Sequence, residues 1–454
     1  MQTCRSGQPE NKSDDSTLTQ WRSGITTARS KGRMIHALDT GRRLPSTSLT
    51  YYFFKPGDGG LLASLSLANR PKRLWTETQK SSLRRALQEW ADVSAFSFTE
   101  TQVKGEADIK AVMVDDPSYT YLGEARFPGD RGQGELYISY RAATHKDFPP
   151  GSFDYITLLH ELGHVFGLAH PHDGGGTSSL FPGVRHAFHT GKHGQNQTVY
   201  TVMSYNDVTG PITPDVIKET GFVTGPMAYD VAAIQAMYPL TSDHVVDAGD
   251  TVHRLPKAGE GAAFKLIRDT GGTDVIDASG SSHKVRIDLR DATLDGGRQG
   301  GGGVSRVVGR DAGGFTIAAG SHIENATGGA GADVLIGNEG ANVLRGGGGN
   351  DKAWGGSGRD VFHPGKGSNY FHGGRDRDTL VLPGSPGNYR IYRLARRKVV
   401  FKPAGGMAKQ IGSTTTDFVE YAYFEKSGKA YRIFGDLKLR RERRRRPRRR
   451  RRRR

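Results

Sequence analysis

The stretch HELGHVFGLAHPHD, residues 160–173, sets three histidines and a glutamate within eleven residues. His160 and His164 are four apart, so on a helix they project from one face a single turn apart. Both imidazoles can then reach one ion at about 2.0–2.1 Å. Glu161 is offset by one position and falls beside such an ion, where it can hold a water. His170 lies six residues past His164, about 9 Å further along a straight helix, and cannot join them unless the chain turns. Gly167 stands where the turn is needed, since glycine tolerates the left-handed conformation that ends a helix. Pro171 then forbids helical continuation. Three nitrogen ligands, an open fourth position and an adjacent carboxylate are the parts of a catalytic zinc site. A chance cluster of surface histidines is the alternative, and the eleven-residue form makes it the weaker one.

A second signature begins at residue 328. The segments GGAGADVLI, GNEGANVLR, GGGGNDKAW, GGSGRDVFH, PGKGSNYFH and GGRDRDTLV follow one another in strict register with a period of nine. This is the pattern of the calcium-binding parallel β-roll. The sixth positions are Asp333, Asn342, Asp351, Asp360, Asn369 and Asp378. The eighth are Leu335, Leu344, Ala353, Phe362, Phe371 and Leu380. A turn of the roll consumes eighteen residues, so Asp333 is expected over Asp351 and Asp360 over Asp378. The turn glycines Gly329, Gly331, Gly347, Gly349, Gly356 and Gly358 offer backbone carbonyls, and the carboxylates complete an oxygen cage suited to Ca²⁺. Without calcium the stacked carboxylates repel, so folding is expected to be coupled to the ion. Asn342 and Asn369 lack charge, while Pro364 and Asp376 replace turn glycines, so fewer or weaker sites are expected in the second half. GGTDVIDASG (271–280) resembles a further turn of this type. A flexible Gly-rich linker is the alternative, and the fixed apolar positions disfavour it.

The remaining sequence fits a multidomain chain of 454 residues. Residues 1–45 are polar and read as a flexible leader or propeptide. Residues 46–240 read as an α/β (α+β) domain, 241–436 as an all-β roll and 437–454 as an Arg-rich disordered tail. SLTYYFF (48–54), FSFTE and ADIKAVMV read as strands. TETQKSSLRRALQEWADVSA (76–95) reads as a helix with a Thr76–Gln79 capping box and Leu83, Leu87, Trp90 and Val93 on one face. GELYISY (134–140) reads as an edge strand, and GPMAYDVAAIQAMYPL (225–240) as an amphipathic helix. The formal charge is +17, but residues 440–454 hold thirteen Arg and one Glu, which leaves +5 for the body. Nucleic acid is therefore not implied by composition, although the tail alone could bind anionic surfaces. The single cysteine, Cys4, excludes an intramolecular disulfide. No apolar signal segment and no membrane-spanning run is evident.

Around these motifs the chain resembles the serralysin-type metzincins, bacterial zinc endopeptidases followed by a calcium-binding β-roll. The resemblance runs over roughly residues 46–435. It rests on ALQEWADVSAFSFTE, HELGHVFGLAHP, the Met-turn TVMSY, PMAYDVAAIQAMY and IAAGSHIENATGGAGADVLIGN. It implies that His160, His164 and His170 bind one Zn²⁺ and that Glu161 is the general base. Tyr205 would be an extra ligand that swings away to support the transition state, and Met203 an apolar floor. It implies Ca²⁺ as a structural cofactor, protein or peptide substrates, a monomer, and secretion without a cleaved signal peptide. A substrate strand would pair with an edge strand, GELYISY by position. Relatives end in a signal read by a type I exporter, of which IFGDLKLRR is a poor echo. Cys4 does not match well the leader thiol that caps zinc in some relatives. His172, His186, His189 and His193 read as solvated loop residues. The rival reading is a calcium-dependent β-roll binding or adhesion protein with an inactive protease domain.

Overall fold

The computed structural model describes residues 29–59, 69–207, 210–211, 221–240, 246–257, 263–309, 313–409 and 411–441. Cys4, most of the expected leader and the Arg tail beyond residue 441 lie outside them. Among the described residues, the N-terminal domain holds the helices α1 (Arg29–Leu38), α2 (Glu77–Ala91), α3 (Phe153–Val165) and α4 (Ala228–Met237). Its sheet contains β1 (Ser48–Phe53), β2 (Lys72–Arg73), β3 (Ser97–Glu100), β4 (Ile109–Val114), β5 (Gly123–Ala125) and β6 (Glu135–Ser139). The strand order is β3-β1-β4-β6-β5, with β2 beside β4. The strands β3, β1, β4 and β6 run parallel, and β5 returns antiparallel along β6.

α2 forms where its capping box predicts. Thr76 Oγ1 accepts from Gln79 N and the Gln79 side chain accepts from Thr76 N, so two orphan donors are satisfied reciprocally. Its apolar stripe of Leu83, Leu87 and Trp90 is buried. Trp90 Nε1 donates to Leu159 O at 3.2 Å, which ties α2 to the middle of α3. α3 is buried on every side, as a central core helix must be, and Ser152 caps its start. α4 is likewise buried over most of its circumference, so the amphipathic pattern expected of 225–240 is replaced by a core helix.

The first helix revises the leader boundary. Met34, Ala37 and Leu38 of α1 are fully buried in the same core as α3 and α4. The chain then passes along the end of α3. Ala169 N donates to Leu38 O, and Thr40 donates to Gly167 O through both its N–H and its hydroxyl. Residues 29–45 are therefore packed structure rather than a flexible leader.

Beyond residue 246 the chain winds into two facing sheets of mostly parallel strands. One sheet holds Val334–Ile336, Lys352–Gly356 and Asn369–Gly374, and the other Val343–Arg345, Val361–His363 and Thr379–Leu382. The register advances eighteen residues per coil: Leu335 pairs with Ala353 and then Phe371, and Leu344 with Phe362 and then Leu380. All six of these side chains are fully buried between the sheets. Phe362 and Phe371 stack across the core at 5.1 Å. The two cores meet at Phe264, which packs with the N-terminal core and bridges to Val223.

Candidate functional site

α3 carries His160 and His164 on one face, and the chain reverses immediately after it. Gly167 has φ of +99°, the conformation in which a side chain is strained. A Cβ there would also lie 2.6 Å from Arg42 O, so glycine is required by the close passage of residues 40–42 as well. The reversal brings His170 back to the first two histidines.

The three Nε2 atoms form a nearly equilateral triangle with sides of 3.0, 3.1 and 3.1 Å. Each opposite nitrogen is occupied. His160 Nδ1 faces Val202 O at 2.8 Å, His164 Nδ1 faces Leu168 O at 2.8 Å, and His170 Nδ1 faces Asp173 Oδ2. Carbonyl and carboxylate acceptors fix the proton on Nδ1, so three Nε2 lone pairs converge on one point. Such an arrangement is repulsive unless a cation sits there. Nitrogens bound tetrahedrally to zinc would lie roughly 3.3 Å apart, close to the spacing seen. Burial lowers all three histidine pKa values, His160 to about 4 and the others well below the ordinary range. They are neutral at pH 7, as ligands must be.

Glu161 is fully buried beside the triangle. β5 runs past it: a Cβ on Gly123 would lie 2.6 Å from Glu161 Cγ and 2.8 Å from Oε1. Tyr205 OH lies 3.0 Å from His170 Nε2, opposite the helix. His172 stacks on His170 with ring centroids 4.7 Å apart and sits 4.8 Å from Tyr205. Its side chain is 9% exposed, so it is part of the wall of the site and not the solvated loop residue expected.

Below the triangle lies the turn containing Met203, which is fully buried. Its Sδ fits against Gly163, where a Cβ would come within 2.6 Å. A buried carboxylate on α4 holds this turn. Asp230 accepts from Thr201 Oγ1 at 2.6 Å, Val202 N at 2.7 Å and Met227 N at 2.9 Å. Burial pushes its pKa up to about 7. The carbonyl of the same residue, Val202, accepts from His160, so Asp230 orients the first histidine through one intervening residue.

The repeat turns form a second kind of site. Their sixth residues stack along two edges of the roll. Asp333 N donates to Asp351 Oδ1, Asp351 N to Asn369 Oδ1, Asn342 N to Asp360 Oδ1 and Asp360 N to Asp378 Oδ1, all at 2.8–2.9 Å. The other oxygen of Asp351, Asp360 and Asp378 is buried without a hydrogen-bond partner. A Cβ on Gly355 would lie 2.0 Å from Asp360 Oδ2 and 2.6 Å from Gly373 O. Carboxylate and carbonyl oxygens thus converge where only glycine leaves room, the donor set of a Ca²⁺ site. At Gly347 and Gly349 a Cβ would strike the carbonyls of Gly329 and Gly331 in the coil before, at 2.3 and 2.0 Å. Gly356 and Gly358 meet Asn338 O and Gly340 O at 2.2 and 2.5 Å. Asp378 has one oxygen buried without a partner as Asp360 does, and Asp376 in the same turn adopts the left-handed φ of +72° itself.

A further sequence expectation is overturned. GELYISY is an interior strand: β6 lies between β4 and β5, and its five residues are all buried. The end of the sheet beyond β6 is β5, which is too short to stand out as a periodic pattern. Asp173, Asp230 and Gly123 were also missed. Asp173 could have been found from its place three residues after His170; the other two act across long sequence separations that spacing does not reveal.

Comparison with known proteins agrees with this layout. A matrixin family model matches residues 63–189. A model of the RTX calcium-binding nonapeptide repeat matches residues 327–362 and 353–380. The chain is similar to a serralysin of Photorhabdus luminescens, 32% identical over 282 residues, covering 58% of this chain and 53% of the relative. It is 31% identical over 282 residues to the metalloprotease AprA of Pseudomonas entomophila, with the same two shares. It is 28% identical over 293 residues to serralysin B of Dickeya chrysanthemi, covering 58% and 54%. The matched region thus spans about half the length of these relatives.

Proposed function

We propose that the chain is a serralysin-type metalloprotease, a secreted zinc endopeptidase stabilised by calcium, as its likeness to matrixin and RTX-repeat models and to serralysins supports. The observation that carries the reading is the triangle of three Nε2 atoms with every Nδ1 already engaged. Bound zinc supplies a Lewis acid and a water of lowered pKa. His160, His164 and His170 would hold the ion, with the Tyr205 hydroxyl 3.0 Å from His170 Nε2. Glu161 takes the proton of the attacking water and passes it to the leaving amine. The Tyr205 hydroxyl donates a hydrogen bond to the developing oxyanion. The substrate backbone pairs with β5, the terminal strand, which runs beside Glu161 at Gly123. The division into 46–240 for catalysis and 241–436 for the roll is part of the same proposal, with the start of the catalytic unit moved to include α1.

No described helix is long and apolar enough to cross a membrane. A binding protein with an inactive protease domain remains the rival. Hydrolysis of casein in millimolar calcium, with and without a zinc chelator and beside Glu161→Ala, decides between them. Activity that disappears on chelation and in the variant supports the enzyme. A wild type that binds one zinc and cleaves nothing supports the rival.

A further inference from the structure

The six repeat turns are not equivalent, and the difference lies in how each closes. At Asp351, Asp360 and Asp378 one carboxylate oxygen accepts a ladder N–H, and the other is buried with no donor. At Asn369 the amide oxygen takes the ladder role, accepting from Asp351 N at 2.8 Å. That bond fixes which end of the amide is nitrogen. The Nδ2 therefore occupies the place of the unpartnered aspartate oxygen, and it finds acceptors at once. It donates to Pro364 O at 2.9 Å, with Lys366 O and Gly367 O at 3.4 and 3.5 Å. The carbonyls of this turn converge on an N–H donor instead of a cation. Asn342 is turned the other way: its Oδ1 accepts from Asn338 N at 2.8 Å inside its own turn, while Nδ2 donates to Glu324 O of the coil before at 3.1 Å and to Asn338 Oδ1 at 3.0 Å.

We infer that the Asn369 turn closes on its own side-chain amide and holds no calcium, so that calcium is concentrated at the Asp351, Asp360 and Asp378 turns. This rests on the calcium reading of the repeats given above. The physical basis is simple. An amide and a carboxylate have nearly the same shape, but the amide brings two donors where the carboxylate brings an acceptor. Carbonyls that would otherwise need a cation are satisfied by a neutral group. The roll thus carries a permanently closed turn among its ion-dependent ones.

The test uses the full-length protein, stripped with a calcium chelator and titrated with calcium by isothermal calorimetry, beside Asn369→Asp, Asn369→Ala and Asp360→Asn. Asn369→Asp is expected to bind one more equivalent than wild type and to melt lower in chelator. Asp360→Asn is expected to bind fewer equivalents and to depend less on calcium for folding. Asn369→Ala, which needs no new ion, is expected to melt lower in chelator with its stoichiometry unchanged. Unchanged stoichiometry in a folded Asn369→Asp, or a lost equivalent in Asn369→Ala, overturns the inference and leaves the calcium reading standing. A wild type that binds no calcium overturns both.

Discussion

The two metal-binding regions are built on opposite principles. In the N-terminal domain the histidine triangle is held by hydrogen bonds to Val202 O, Leu168 O and the Asp173 carboxylate, inside a large apolar core. In the roll the ligands are carboxylates stacked eighteen residues apart, with buried oxygens that no protein donor reaches. One site is prepared before its metal arrives. The other is completed by it. Removing metal should therefore cost chemistry in the first region and structure in the second.

The largest expected effect is on chemistry. Glu161→Ala should lower peptide hydrolysis by at least about 10²–10⁴-fold, the range for losing a general base, while the melting temperature stays near that of wild type. Measuring both on one preparation checks the comparison, because a fall in stability would place Glu161 in the fold as well as in the reaction.

Calcium removal should act on the other side. Burial raises the carboxyl pKa of Asp351, Asp360 and Asp378 from 3.8 to about 7 in the calcium-free state. A folded pKa above the unfolded one means that ionisation opposes folding. Stability of the chelated roll should be greatest below about pH 4 and fall as pH rises towards 7. The calcium-saturated roll should not show that fall. Melting curves at pH 4, 5.5 and 7, with and without chelator, measure the difference.

Within the roll, Phe362→Ala removes a fully buried ring stacked on Phe371 and should cost about 3–5 kcal/mol in denaturant unfolding with calcium present. Smaller effects belong to the groups around the triangle. Gly123→Ala would press a methyl group against Glu161, and roughly a hundredfold loss in kcat/KM is expected from misplacing the base, with little change in zinc affinity. Asp173→Asn should weaken zinc binding by about 10–100-fold, read by competition with a zinc dye.

These predictions also mark what was legible in the sequence. The ligands were readable because helical and nonapeptide periods are local: His160 and His164 share a face by spacing, and Leu335 stacks on Ala353 by arithmetic. The groups that orient the ligands were not. Asp230 reaches the Met203 turn from another helix, and Gly123 meets Glu161 from another strand. The edge strand was misplaced because three residues carry no alternation, whereas β6 alternates and is buried on both sides. Residues 29–45 looked like a leader because α1 presents only a narrow apolar stripe of Met34, Ala37 and Leu38. Asn342 and Asn369 were recognised as lacking charge, but the acceptors their amides find could be seen only in three dimensions.

The most direct test of the contrast is hydrogen exchange resolved along the chain, measured after selective removal of zinc and, separately, of calcium. Zinc removal should abolish peptide hydrolysis and leave protection of residues 328–381 unchanged, and calcium removal at pH 7 should strip protection from 328–381. Full protection of those repeats in chelator, or their unfolding when zinc alone is withdrawn, would contradict the account.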